Sequence, residues 1–138
     1  MEIALTPAVR AFLEDEPRFA TIATINPDGS PHQVVVWFLV RGDRILLNSL
    51  EGRRWPANLR RDPRISLTIE DGLDYVTLAG LATEEPDPAL AQAEIAEMAH
   101  RYHDAAEAQA LVAERFSSQS RVRFFVSPTR IETHGEID

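Results

Sequence analysis

The residues best suited to chemistry form a cluster of arginines within residues 51–64. Five arginines and two carboxylates give this stretch a net charge of +3 (five minus two), whereas the whole chain carries −8. Arg53 and Arg54 would begin a short helix after the Gly52 turn, where cations are unfavourable unless an anion is also present. Arg60 and Arg61 would lie in its last turn, where they offset the helix dipole. The cluster therefore predicts either a phosphate or carboxylate site or a solvated helix.

Other chemistries find little support among the remaining residues. The chain contains no cysteine, which excludes disulfides, thiol nucleophiles and cysteine-bound metals. Its 14 basic residues are all arginines, which excludes a lysine Schiff base. Its serines and glycines form no nucleophile elbow, dinucleotide-binding or P-loop motif. His100 and His103 would share a helix face beside Asp104, but no carboxylate at a matching spacing completes a site, so we expect no metal centre.

Length and composition place the chain in an ordinary globular class. Its 138 residues, 44% of them hydrophobic and 26% charged, are the size of a single domain, which we assign to residues 1–138. No run of about 18 apolar residues spans a membrane, and the N-terminus lacks the profile of a signal peptide. The net charge of −8 disfavours nucleic acid and anionic membranes as partners. We therefore expect a soluble, cytoplasmic protein that acts on a small molecule.

Alternating and β-branched runs predict a sheet with helices beside it. Strands are expected over residues 18–25, 32–40, 45–49, 64–70, 75–83, 121–126 and 129–133, the last two separated by Ser127 and Pro128. Helices are expected over residues 7–14 and 53–61, from residue 87 onward and over residues 105–116. The long helix has one apolar stripe, formed by Ala91, Ile95, Met98 and Tyr102. Gly80 inside a strand indicates a bend or a close backbone approach. The predicted fold is mainly β, of the α+β class, with a small antiparallel barrel and side helices.

The predicted second strand, residues 32–40, has apolar side chains on both faces. Val34 and Val36 point one way, and Val35 and Trp37 point the other way. A sheet with one solvated face would instead alternate apolar and polar residues. We therefore expect the barrel interior to cover one face of this strand, and a helix or a second subunit to cover the other.

The order of these features resembles that of a known family. The similar segments are residues 20–24, 28–32, 36–38, 52–53, 58–64 and 76–82. Over nearly the whole chain they resemble the split β-barrel flavin- and deazaflavin-dependent oxidoreductases, also called the pyridoxamine 5′-phosphate oxidase-like superfamily. The run Asn-Leu-Arg-Arg-Asp-Pro at residues 58–63 is the most specific segment. It resembles the branch that uses coenzyme F420, a 5-deazaflavin with a phosphate and an oligoglutamate tail.

The resemblance implies an FMN-binding type of split barrel that forms a homodimer with two cofactor sites at the interface. Such an enzyme would transfer hydride from reduced F420 to a small unsaturated organic molecule. Arg53 and Asn58 would bind the cofactor phosphate, and the ring would lie against residues 34–37 and 47–49. Arg60, Arg61 or Arg64 would attract the tail. The expected cofactor-binding residues are Val34, Val36, Trp37, Asn48, Ser49, Arg53, Arg54 and Asn58.

Two other functions and one open question accompany this expectation. The chain is also compatible with an FMN-dependent enzyme of the oxidase type, or with a non-catalytic protein that binds F420. Trp55 stands where the family often has lysine, so either Arg54 replaces that charge or the phosphate is held less tightly. No catalytic residue is assigned, although Tyr75, His32 and Ser49 are candidates for protonating the substrate. A nucleic-acid-binding barrel is disfavoured by the net charge.

Overall fold

Seven strands form one antiparallel sheet in the computed structural model of the protein, which describes residues 1–137. In chain order they are β1 (Ala20–Ile25), β2 (Pro31–Val36), β3 (Leu39–Arg41), β4 (Arg44–Leu50), β5 (Arg64–Asp71), β6 (Asp74–Glu84) and β7 (Arg121–His134). Their order across the sheet is β2-β1-β5-β6-β7-β4-β3. The predicted mainly β architecture is therefore confirmed.

The two edges of the sheet, β2 and β3, follow one another in the chain. Only Trp37 and Phe38 separate them, so the sheet curls until its edges approach, as in a barrel. Within the described residues no hydrogen-bonded ladder joins these two edges, and the barrel is split there. At the break the Phe38 amide donates a hydrogen bond to the Tyr102 hydroxyl, with an N···O distance of 3.3 Å. The prediction of one continuous strand over residues 32–40 was therefore wrong.

Helices cover the outside of the barrel in the described part of the chain. They are α1 (Pro7–Asp15), α2 (Arg54–Arg61), α3 (Pro88–Tyr102) and α4 (Ala105–Glu114), and a 3₁₀ turn, Phe116–Ser118, follows α4. Thr6, Asp87 and Asp104 cap three of them by accepting hydrogen bonds from backbone amides. The predicted stripe of α3 is confirmed: Ala91, Ile95 and Met98 are buried and Tyr102 is half-buried. Within residues 1–137, none of these helices has the length and apolarity to cross a membrane.

The strand that is buried on both faces is β4 rather than β2. Ile45 and Leu47 belong to the main core inside the barrel, whereas Leu46 lies in a second core that includes side chains of α3. On β2, by contrast, Val35 is 61% exposed. The covering helix expected from the sequence thus exists, but it lies over β4 and brings its residues close to the end of that strand.

Backbone contact at Gly80 explains the glycine in the middle of β6. A Cβ atom there would lie 2.2 Å from the carbonyl oxygen of Ser127, which is sterically impossible. This confirms the predicted close approach. The register of the β6–β7 pairing shifts between Ala79 and Gly80. This shift leaves one extra residue on β7 as a bulge. The extra residue is Thr129, and Pro128 is paired with Gly80, so β7 continues through Pro128 as one strand, and the prediction of two separate closing strands was wrong.

Candidate anion-binding cavity

A cavity of about 280 Å³ lies at the split in the barrel, between β2, the end of β4 and α3. This volume is near the lower limit of the range for small-molecule sites. One side of the cavity is formed by β2 and its continuation, and the other by β4, the start of α2, α3 and the start of β7. Its lining residues are Phe19, Val34, Val35, Val36, Trp37, Asn48, Ser49, Leu50, Arg53, Trp55, Ile95, Met98, Phe116 and Arg121.

Six of the eight predicted cofactor-binding residues line this cavity. They are Val34, Val36, Trp37, Asn48, Ser49 and Arg53. They come from three segments that are separate in the sequence, and the fold brings them together because β2 and β4 lie on the two sides of the split. Their role in binding a cofactor remains a prediction, but the predicted grouping in space is found.

The two other predicted residues, Arg54 and Asn58, lie in a separate groove beside Asp28 and Arg61. Asn58 is 1% exposed, and its amide nitrogen donates hydrogen bonds to Thr24 Oγ1 at 3.0 Å and Asn26 Oδ1 at 3.1 Å. These bonds tie α2 to β1 and to the turn after it. Asn58 therefore has a structural role here, whereas its contact with a cofactor phosphate stays a prediction.

The position where the family often has lysine is part of the protein core. Trp55 is 3% exposed and its ring packs against that of Phe124, with centroids 5.7 Å apart. Arg54, its neighbour, does not line the cavity. Arg54 therefore does not supply a replacement charge within the cavity in this conformation.

An aromatic stack forms the apolar side of the cavity. Trp37 lies parallel to Tyr102, with ring centroids 5.2 Å apart and an interplanar angle of 6°, and Phe116 meets its edge at 6.3 Å. The Tyr102 hydroxyl donates a hydrogen bond to the Arg18 carbonyl at 2.6 Å. Burial raises the pKa of Tyr102, so the phenol keeps its proton and acts as a donor. This bond and the stack fix Trp37 at the break between β2 and β3.

The polar side of the cavity has two arginines without a carboxylate partner in the described residues, Arg53 and Arg121. The Arg121 Nε donates to Asn48 Oδ1 at 3.0 Å, and its Nη1 donates to Gln119 Oε1 at 2.9 Å. Burial, with a smaller contribution from the positive charge of Arg53, lowers the pKa of Arg121 to about 10. Arg121 therefore stays protonated near neutral pH, but burial makes its positive charge less favourable than in water, and an anion bound beside it would offset that cost.

Sequence reasoning missed Arg121 because it lies on β7, far along the chain from the arginine cluster. One signal could have found it. Arg121 and Arg123 alternate with Val122 and Phe124, a pattern that puts both guanidinium groups on the same face of a strand. Two guanidinium groups on one face of a buried strand require negative charges nearby. These charges come either from carboxylates of the protein or from a ligand.

Two of the remaining arginines of the cluster, Arg60 and Arg64, are largely neutralised by neighbouring carboxylates, whereas Arg61 forms no ion pair within residues 1–137 and donates to the Ile25 carbonyl and to Asn58 Oδ1. Arg60 pairs with Glu84 at 2.7 Å and with Glu51 at 2.7 Å, and hydrogen bonds from these two carboxylates raise the pKa of Arg60. Arg64 pairs with Asp62 at 2.7 Å and lowers the pKa of Asp62 to about 2. The expected attraction of a cofactor tail by Arg60 and Arg64 is therefore weakened, because their charges are already compensated.

Of the three candidates for protonating a substrate, only Ser49 lines the cavity. Its hydroxyl donates to the carbonyl of Leu50 at 3.1 Å. Tyr75 stacks on His134 with centroids 4.8 Å apart, at the far end of β6, and His32 lies on β2 outside the cavity. Within residues 1–137 there is no cluster of three or more histidine, aspartate or glutamate side chains that could hold a metal ion.

Comparisons with known proteins agree with this architecture. The sequence profile of the family described as pyridoxamine 5′-phosphate oxidase matches residues 5–135. A search of curated proteins finds no significant match, whereas solved structures give many. A conserved hypothetical protein of Mycobacterium tuberculosis is 27% identical, covers 96% of this chain and 86% of its own, and has a TM-score of 0.70.

Two other similar structures differ in what their names say they do. An F420 reductase is 23% identical, with 88% of this chain and 94% of that chain covered and a TM-score of 0.70. The heme storage protein HutZ of Vibrio cholerae is 20% identical, with 96% of each chain covered and a TM-score of 0.71. At these identities the two structures establish the fold and leave the ligand open. The profile match over residues 5–135, together with the split antiparallel barrel, shows that this chain belongs to the pyridoxamine 5′-phosphate oxidase family of split-barrel proteins.

Proposed function

We propose that this protein is a coenzyme F420-dependent oxidoreductase of the cytoplasm. In this proposal, hydride passes from the reduced deazaflavin to a small unsaturated organic substrate. The single observation that carries the proposal is the composition of the cavity, whose lining includes both an apolar wall with Trp37 and the cationic side chain of Arg53. An apolar wall suits a planar ring system, and a free guanidinium suits a phosphate.

The residues of the cavity fit such a cofactor. Val34 and Val36 supply an apolar surface on one side, and Asn48 and Ser49 supply polar atoms on the other. Arg53 makes no ion pair among the described residues and is exposed, so it is available for a phosphate. Bound F420 supplies the hydride, while the protein binds and orients it and excludes water.

The choice of F420 over FMN rests on charge outside the cavity. Arg54 follows Arg53 at the start of α2, and it shares the neighbouring groove with Arg61 and Asp28. Two cations and one carboxylate leave this groove with a net charge of +1, which would favour the carboxylates of an oligoglutamate tail. FMN carries no such tail and would gain nothing from this groove. The sequence run at residues 58–63 supports the same choice.

We further propose that the active form is a homodimer with the cofactor at the interface. Val35 is 61% exposed and Phe19 is 55% exposed, and both line the cavity. A second subunit placed against β2 would bury these side chains and enlarge the site. Light scattering tests this directly: we expect twice the protomer mass of 15.5 kDa, and a stable monomer at micromolar concentration would contradict it.

Turnover of reduced F420 tests the proposed function. The purified protein is mixed anaerobically with reduced F420 and a panel of small unsaturated acceptors, and cofactor oxidation is followed by absorbance. We expect protein-dependent oxidation with at least one acceptor and a large loss of rate in Arg53→Ala. Tight binding without oxidation by any acceptor would favour a non-catalytic F420-binding protein. Oxidase activity with FMN, and no binding of F420, would favour the FMN enzyme.

A further inference from the structure

Arg121 is a charged group in the cavity to which the proposed function gives no role. Its guanidinium is held from two sides by neutral amides, Asn48 through Nε at 3.0 Å and Gln119 through Nη1 at 2.9 Å. Nη2 makes no hydrogen bond to the described residues. An arginine that is oriented but not neutralised has donors left for a ligand.

The groups that hold Arg121 are themselves anchored to α3. The Asn48 amide nitrogen donates to the Ala91 carbonyl at 2.8 Å in a buried position. Gln92 Nε2 donates to the carbonyl of Phe116 at 2.9 Å and to that of Gln119 at 2.8 Å. The position of the guanidinium is therefore set before a ligand arrives, which reduces the conformational entropy that binding would cost.

Arg53 and Arg121 are two cations on the same cavity with no carboxylate between them. Both line the cavity, and they are close enough for the charge of Arg53 to contribute to the lowered pKa of Arg121. Among the described residues, the nearby arginines Arg60 and Arg123 have carboxylate partners instead. The positive charges of Arg53 and Arg121 at the cavity are therefore not compensated by a carboxylate of the described residues.

We propose that Arg53 and Arg121 together form a clamp for an oxyanion, namely a phosphate or carboxylate group of a ligand bound in the cavity. Arg121 contributes through its oriented Nη2, and Arg53 closes the clamp from the start of α2. The oxyanion comes either from the cofactor or from an acidic substrate. This inference relies on the proposed function only in placing a ligand in this cavity, because the clamp recognises the charged group and not the ring.

Inorganic phosphate is the probe that tests the clamp without assuming any cofactor. Phosphate is titrated into the full-length protein and binding is followed by the fluorescence of Trp37 and Trp55, which both line the cavity. We expect saturable binding that Arg121→Gln weakens about tenfold or more, as loss of a charge-assisted contact predicts. Arg121→Lys keeps the charge but loses the planar fork, so a smaller loss is expected. Arg115→Gln, at an exposed arginine, is the matched control for loss of one charge and should bind within twofold of the parent.

A second arm distinguishes the two sources of the oxyanion. If F420 displaces phosphate, the clamp holds a group of the cofactor, and Arg121→Gln then weakens F420 binding as well. If phosphate still binds to the F420-loaded protein in an Arg121-dependent manner, the clamp holds the acidic group of a substrate. Either result supports the clamp.

Two results would contradict the proposed clamp. Absence of phosphate binding, or equal effects of Arg121→Gln and Arg115→Gln, means that Arg121 is not a ligand-binding group. Folding of the variants is checked by thermal unfolding, and Arg121→Lys provides a second test should Arg121→Gln unfold. Failure of F420 to bind, with phosphate binding intact, would contradict the proposed function and leave the clamp standing.

Discussion

Two arginines on the same face of β7 have opposite surroundings. Arg123 is buried and makes a bidentate ion pair with Glu94 of α3, with distances of 2.6 Å and 2.7 Å. Arg121, two residues earlier, is held by the neutral side chains of Asn48 and Gln119, and its guanidinium lies over the ring of Phe116, 5.1 Å from the centroid. The first pair joins the sheet to the helix. The second arrangement leaves the positive charge of Arg121 at the cavity without a negative partner. Burying such a charge is unfavourable unless a ligand supplies the counter-charge.

This difference shows that the number of charges in a segment is a poor guide to a binding site. The cluster at residues 51–64 has the highest density of arginines, yet Arg60 and Arg64 are compensated by carboxylates. Arg121 lies outside that cluster and has no such partner among the described residues. A binding site is therefore better identified by a charged side chain that lacks a compensating charge. Such a side chain can be recognised only in the folded structure, where residues distant in the sequence come together.

The largest expected effect concerns the buried pair. Glu94→Gln leaves the Arg123 guanidinium buried without its bidentate counter-charge, with only Glu85 at 4.0 Å remaining, which should lower the free energy of unfolding by about 3–5 kcal/mol. Urea unfolding followed by circular dichroism measures this. Replacing both partners, as Glu94→Leu with Arg123→Met, should recover much of the loss because no uncompensated charge remains.

Arg121→Gln provides the contrasting variant on the same strand. It removes a half-buried charge that lacks an anionic partner, so the ligand-free protein should unfold at the same or a higher urea concentration. A destabilisation as large as that of Glu94→Gln would contradict the proposal that Arg121, unlike Arg123, does not stabilise the folded protein.

The next effect in size is on cofactor binding. Arg53→Ala should weaken F420 binding by about 1.5–3 kcal/mol, roughly ten- to a hundredfold, because a charge-assisted contact to phosphate is lost. Arg60→Ala removes a charge already shared by Glu51 and Glu84 and should change the dissociation constant much less. Isothermal titration of the three proteins measures both values, and equal losses would mean that the cluster acts only as a diffuse field.

A smaller effect is expected at the aromatic wall. Tyr102→Phe keeps the stack on Trp37 but leaves the Arg18 carbonyl without its donor, which should cost about 1–3 kcal/mol of unfolding free energy. The fluorescence maximum of Trp37 should shift as the break between β2 and β3 loosens. Tyr75→Phe is the control: the Tyr75 hydroxyl makes no hydrogen bond to the described residues, so little change in either quantity is expected.

The smallest effect is a pH dependence at the end of α2. The folded-state pKa of Asp62, about 2, lies below its ordinary value of 3.8 because of hydrogen bonds from Arg64. A carboxyl with a lowered pKa stabilises the folded state fully above its unfolded pKa and loses that contribution as pH falls through the folded value. The melting-temperature difference between the parent and Asp62→Asn should therefore be small and positive above pH ~4, and should disappear towards pH ~2. A difference that grew on acidification would contradict this assignment.

The sequence predicted the barrel and most of the cavity but not its charge arrangement. Periodicity was sufficient for α3, whose apolar stripe is buried, and for Gly80, whose missing side chain admits the Ser127 carbonyl. Periodicity did not predict the end of β2 before Trp37 and Phe38. An apolar run has the same pattern whether the strand continues or ends, as it does here beside Tyr102. Periodicity also missed Arg121, since only the tertiary structure determines which arginines find carboxylates.

The most direct test of the account is a comparison of F420 and FMN binding to the apoprotein. Both cofactors are titrated at low and at physiological salt, and quenching of tryptophan fluorescence is followed. We expect F420 to bind more tightly than FMN, and we expect F420 binding to weaken as salt screens the exposed charges of Arg53 and Arg54. Tighter binding of FMN, together with F420 binding that does not depend on salt, would contradict this expectation and assign the cavity to a flavin enzyme of the oxidase type.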